Sequence, residues 1–179
     1  MTLRNGVYVI TGIMASGKST VAELLAAQFD RGVHVRGDVF RKMIVSGRVD
    51  MTPEYTPGAL EQLMLRYNMA AKVADMYYRA GFSVVVQDTY LGASVSSFLQ
   101  EFESRPLFFI TLNPSVEAVM QREQQRQKTG YTEWEVQSLH DVLNNENPRV
   151  GFWLDSSQMT PEQTLAEIVE RAVSRARIA

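Results

Sequence analysis

The residues whose types and spacing could do chemistry begin at Gly12. The run Gly12-Ile13-Met14-Ala15-Ser16-Gly17-Lys18-Ser19 fits the pattern G-x-x-x-x-G-K-[ST] at every position, and Thr20 follows it. Its glycines let the backbone curl so that successive N–H groups converge on an anion, and a helix starting behind them adds the positive end of its dipole. Lys18 supplies a mobile point charge for the terminal phosphates of a nucleotide, Ser19 a hydroxyl ligand for Mg²⁺, and Thr20 a hydroxyl for the α-phosphate. Nucleotide binding is the first expectation.

Transfer of the γ-phosphate needs two further things: a carboxylate to orient and deprotonate an acceptor hydroxyl, and cations to hold the charge of the transition state. Asp38, after the short strand Val33–Arg36 and Gly37, is the candidate base. It could also cap the helix opening at Val39, a role compatible with catalysis. Asp88 ends Val84-Val85-Val86-Gln87-Asp88, an acidic residue after an apolar strand, placed to contact Mg²⁺ or the acceptor; Gln87 beside it can only hydrogen-bond. Arg122 and Arg126 lie one helical turn apart in a polar stretch, so both can swing over the phosphates from a lid, a solvated helix end being the alternative. Arg36 and Arg41, which flank Asp38, could hold an anionic acceptor or simply pair on the surface. His34 and His140 lack ligand spacing and read as structural.

The elements that must position these residues alternate along the chain. Strands are expected at Val7–Thr11, Val33–Arg36, Phe82–Val86, Leu107–Leu112 and Val150–Leu154, and helices at Thr20–Phe29, Val39–Val45, Ala59–Ala80, Ser94–Phe102, after Pro114, at Glu133–Asn144 and from Thr160. Strands alternating with helices predict an α/β domain, a parallel sheet covered on both faces, with ligands beyond the carboxyl ends of the strands. Loop 12–19, Asp38 and Asp88 all fall on that edge. Met64, Tyr67, Met69, Met76 and Tyr77 mostly follow helical spacing and read as core, some of them available to an acceptor pocket.

Composition bounds the function. The chain's 179 residues suit one domain around one core, 1–179. A net charge of -2 disfavours a nucleic-acid substrate. The absence of cysteine removes thiolate chemistry and fits a reducing compartment. No apolar run is long enough for a membrane span or a signal peptide, so a cytoplasmic protein is expected.

The chain resembles the small P-loop kinases that include chloramphenicol phosphotransferase and, more loosely, gluconate, shikimate and nucleoside-monophosphate kinases. The resemblance rests on Gly12 to Thr20, Gly37-Asp38, Val84 to Gly92, and Trp153 to Ser157 before Thr160-Pro161-Glu162. It implies a three-layer P-loop NTPase fold with strand order 2-3-1-4-5, an acceptor-binding helical region at about 39–80 and a small lid at about 122–132. It also implies ATP and Mg²⁺ as cofactors, Asp38 as the acceptor-side carboxylate, Arg122 and Arg126 as lid arginines, and the loop after Asp155 near the adenine. The expected activity is transfer of phosphate from ATP to a hydroxyl of a small molecule. A nucleotide or polynucleotide 5′-hydroxyl kinase, whose basic acceptor groove only Arg36, Arg41, Arg48 and Arg66 could offer, and a non-catalytic ATP-binding module are the rival readings.

Overall fold

The computed structural model describes residues 3–125 and 134–179. Five strands form one parallel sheet: β1 (Val7–Thr11), β2 (Gly32–Arg36), β3 (Ser83–Gln87), β4 (Leu107–Leu112) and β5 (Phe152–Leu154). The strand order is β2-β3-β1-β4-β5, as expected, and every neighbouring pair is parallel.

Because strand side chains alternate, each central strand feeds two cores. Val7, Val9, Val84 and Val86 pack with Ala70, Ala71 and Ala74 of α3 (Pro57–Arg79) and with Phe98 of α4 (Ser94–Gln100). Tyr8, Ile10 and Val85 pack on the other face with Val21 and Leu25 of α1 (Lys18–Ala26) and Ile168 of α7 (Pro161–Arg171). Both faces are therefore covered, which is why these strands read as unbroken apolar runs. A third cluster joins Ile13 of the glycine loop to Val119 of α5 (Val116–Gln124) and to Leu139 and Leu143 of α6 (Val136–Glu146).

Several boundaries differ from the expectations for local reasons. Helix α1 opens at Lys18 because Gly17, at φ 93°, takes the left-handed conformation that turns the chain into it. Helix α3 opens at Pro57, where the Thr56 hydroxyl accepts from the Ala59 N–H at 3.2 Å. α2 is only Asp38–Lys42 and stops short of Val45, whose side chain is exposed. β5 begins at Phe152 because Gly151 (φ 71°) lies against Phe109, where a Cβ would meet the carbonyl oxygen at 2.2 Å. Met76 and Tyr77 of α3 face solvent rather than the core, whereas Tyr67 is buried.

One element departs from the expected pattern altogether. After a π-helical turn, Ala172–Ala176, the last residues run along β4: the Ile178 N–H donates to Leu107 O and the Leu107 N–H to Ala179 O, both at 2.9 Å.

Candidate active site

The glycine loop links β1 to α1, and its shape depends on close backbone approach. A Cβ on Gly12 would lie 2.7 Å from the Leu112 carbonyl oxygen and 2.5 Å from Ser16 Oγ, so only glycine fits there. Ala15 is also left-handed, at φ 60°, part of the curl that turns loop amides inward. Thr11 anchors the loop's start, its hydroxyl donating to Tyr90 O at 2.8 Å and accepting from the Tyr90 N–H at 2.9 Å. Lys18 Nζ donates to Ile13 O at 3.1 Å, folding the ammonium back over the loop. The Ser19 and Thr20 side chains are at exposed positions at the start of α1.

Arg122, at the end of α5, is braced on this loop. Its guanidinium donates to Ser16 O at 3.3 Å and to Ser156 O at 2.5 Å, the second carbonyl belonging to the loop after β5. Burial lowers its pKa from the ordinary arginine value, and the Asp155 charge opposes that only in part. A half-buried guanidinium held by carbonyl dipoles is poised to gain from an arriving anion. Arg126 lies outside the described residues, as does most of the stretch expected to form the lid.

Asp38 sits at the first turn of α2, with Arg41 at 3.0 Å and Lys42 at 2.6 Å. Burial pushes its carboxyl up, but Lys42 and Arg41 together outweigh this and hold it below the usual carboxylate range. Arg41 also pairs with Asp50 at 2.7 Å. Asp88, just beyond β3, is buried and gripped in a fork by Arg66 of α3, whose Nε lies 2.5 Å from Oδ2 and whose second nitrogen reaches Oδ1. The Thr89 N–H donates to the same Oδ1 at 2.7 Å. With both oxygens engaged, Asp88 faces α3, and direct metal ligation would break the fork. Beside it, Gln87 Oε1 is buried without a hydrogen-bond partner.

These residues meet in one cleft of about 1230 Å³ at the carboxyl edge of the sheet. Lys18, Ser19, Thr20, Asp38, Arg41, Asp88 and Arg122 all line it. Met64, Tyr67 and Met69 line it too, while His34 pairs with Glu23 at 2.7 Å and His140 contacts Asn144. Sequence reasoning placed Arg66 only in the basic groove of the polynucleotide reading, not beside Asp88; an arginine three residues from Leu63 and one from Tyr67, on the stripe that meets the sheet, was the available signal. Among the described residues no cluster of three His, Asp or Glu could hold a metal. The exposed Ser19 hydroxyl beside the loop fits the other mode, in which Mg²⁺ takes one or two protein oxygens and completes its shell with phosphates and water.

A family model described as an AAA domain matches residues 7–144. The chain belongs to the AAA domain family. Among its relatives, a UPF0200 protein from Aeropyrum pernix is 30% identical over 142 residues, 78% of this chain and 75% of that protein. The structure of this AAA domain is similar to a sugar kinase from Janibacter sp. HTCC2649, with TM-score 0.71 and 21% identity over 93% of this chain and 94% of that one. It is also similar to a gluconokinase from Sinorhizobium meliloti 1021, with TM-score 0.60 and 20% identity over 93% and 90%. The tunicamycin resistance protein of Deinococcus radiodurans aligns with TM-score 0.64 and 15% identity over 98% and 99%. At such identities the likeness is one of fold, and this AAA domain has the fold seen in those small P-loop kinases. Among the described residues no helix is long and apolar enough to cross a membrane.

Proposed function

We propose that the protein is a cytoplasmic, single-domain kinase that transfers the γ-phosphate of ATP to a hydroxyl of a small molecule. The observation that carries this reading is the convergence of Lys18, Asp38, Asp88 and Arg122 on one cleft. An ATP-sensing module would have no need of a carboxylate pair opposite its phosphate loop. The loop amides and Lys18 hold the β- and γ-phosphates, and the loop after Asp155 flanks the adenine. The Ser19 hydroxyl would hold Mg²⁺, which would supply positive charge against the phosphates.

The acceptor hydroxyl lies between Asp38 and the γ-phosphate. Its oxygen forms a bond to phosphorus as the bond to the β-phosphate bridging oxygen breaks. The hydroxyl proton passes to Asp38, and the electron pair leaves with ADP. Asp38 is held as a carboxylate by Lys42 and Arg41, so it acts chiefly by orienting the hydroxyl and takes the proton late, as a loose transition state allows. Arg122, with Arg126 as its partner in a lid, stabilises the charge on the transferring group. Arg41 and Asp88 hold the acceptor, Asp88 through a fork fixed by Arg66.

A polynucleotide 5′ end would need a basic groove. Arg36 is paired with Glu23, Arg41 with Asp38 and Asp50, Arg48 with Asp50, and Arg66 with Asp88. An ADP-release screen over sugars, nucleosides, hydroxy acids and amphipathic alcohols, with mass spectrometry of the product, tests the proposal. One acceptor class should raise ADP release well above the water background, and Asp38→Asn should abolish the rise while ATP still binds.

A further inference from the structure

We infer that the acceptor of the proposed kinase is an uncharged molecule with an apolar body, and that the cleft turns anionic acceptors away. This rests on the reading of the cleft as a kinase site and goes further by naming the chemistry the acceptor half accepts.

The first observation is the wall opposite the phosphate loop. Phe40, Ile44, Met51, Tyr55, Leu60 and Met64 line it, and Tyr55 and Leu60 remain 53% and 40% exposed. Large apolar side chains left in water at the mouth of a cleft gain from covering by an apolar ligand. The cleft's 1230 Å³ exceeds the roughly 300–1,000 Å³ of a site for one drug-sized ligand, which leaves room for an acceptor body beside a nucleotide.

The second observation is the charge balance. Lys18 and Arg122 belong to the phosphate loop end. Among the other described residues of the lining, Arg41 and Arg66 stand against Asp38, Asp50, Asp88 and Glu146, with Lys42 and Arg48 pairing Asp38 and Asp50 from outside it, so the cations near the acceptor half are already matched by carboxylates. Neither arginine is unmatched: Arg41 bridges Asp38 at 3.0 Å and Asp50 at 2.7 Å, and Arg66 grips Asp88 in its fork. In both, burial works against the guanidinium charge and the partner carboxylates more than restore it. A carboxylate or phosphate on the acceptor would have to displace a protein carboxylate and sit near the others, with the triphosphate adding further negative charge. Like-charge juxtaposition of this kind is how a site rejects a wrong ligand. A neutral hydroxyl meets no such barrier.

A matched pair of fluorescent probes tests this without any turnover: uncharged phenylnaphthylamine and its sulfonated counterpart, anilinonaphthalenesulfonate. Both are titrated into the full chain with the nucleotide site filled by Mg²⁺ and a non-hydrolysable ATP analogue. The uncharged probe should bind at least about tenfold more tightly than the sulfonate, the factor that one disfavoured charge contact supplies. Leu60→Asp should abolish that binding, and Asp50→Asn, which releases Arg41 from one partner, should narrow the gap severalfold by strengthening the sulfonate. The inference is overturned if the sulfonate binds as tightly as the uncharged probe in a Leu60-dependent way. It is overturned equally if the uncharged probe is indifferent to Leu60→Asp, or if Asp50→Asn leaves the gap unchanged. The kinase reading fails separately, by absence of ADP release from the same preparation, whatever the probes do.

Discussion

Gly37 and Asp88 touch so closely that residue 37 can carry no side chain: a Cβ there would lie 2.0 Å from Asp88 Oδ2. The Gly37 N–H also donates to Gln87 O at 3.0 Å, so the end of β2 is keyed to the end of β3 at the residues flanking both carboxylates. The backbone at Gly37 is ordinary, with φ −59°, so the requirement is one of space rather than conformation.

Gly37→Ala should therefore displace the Asp88 carboxylate or the start of α2. We expect a loss of about 1–3 kcal/mol in stability, the range for overpacking a filled site. KM for the acceptor should rise while ATP affinity stays within about twofold, because the phosphate loop is braced independently through Thr11 and Tyr90. Calorimetric ATP titration and thermal melting of the variant check both parts.

The Arg66–Asp88 fork is nearly buried, with side-chain exposures of 14% and 5%. Removing one partner leaves the other charge without compensation, which typically costs about 3–5 kcal/mol, whereas removing both costs less than the sum. Arg66→Met and Asp88→Asn should each lower the melting temperature strongly and the double variant by less than the two together. Additive losses in a double-mutant cycle would mean that the fork contributes no coupling.

Arg122 donates to carbonyls of two loops, so its removal should affect both catalysis and loop order. Arg122→Met should lower kcat by about 10²-fold or more, the usual scale for losing one preorganised transition-state donor. Arg122→Lys should recover only part of this, since an ammonium cannot span both carbonyls in one plane. Steady-state kinetics on the two variants distinguish these outcomes.

Asp38 predicts a pH dependence whose sign is fixed. Its folded pKa lies below the ordinary 3.8, so its pairing with Lys42 and Arg41 contributes stability that is present above 3.8 and is lost as pH falls through the folded value. Asp38→Asn should lower the melting temperature at neutral pH and close the gap to wild type below about pH 4. In the wild type, an acid limb due to Asp38 should appear in kcat/KM only below about pH 4. A limb centred near pH 6 would assign the base to another group.

Much of the architecture is legible in the order of residue types along the chain. A strand buried on both faces must be apolar throughout, which makes β1, β3 and β4 readable as runs, and the loop pattern marks where the nucleotide goes. Short-range order also announces α7, where Thr160 and Gln163 form a reciprocal cap. Arg66 is not legible as an active-site residue, because helical periodicity shows that α3 packs on the sheet without showing which side chain reaches the end of β3. The reason for Gly37 is hidden likewise, since it lies in a contact with a residue on another strand. Residues 177–179 carry one large apolar side chain, Ile178, and are held along β4 by backbone bonds, which leave no pattern in side-chain types.

The central claim is that Asp38 and the phosphate loop act together to move a phosphate from ATP to a hydroxyl. The most direct measurement follows a radiolabelled γ-phosphate with wild type and Asp38→Asn, in the presence of the acceptor found by the screen, alongside calorimetric ATP binding for both. We predict that the wild type passes the label to the acceptor, and that Asp38→Asn binds ATP with similar affinity yet transfers at least about 10²-fold more slowly. Label released only as inorganic phosphate, at equal rates from both proteins, would contradict the account.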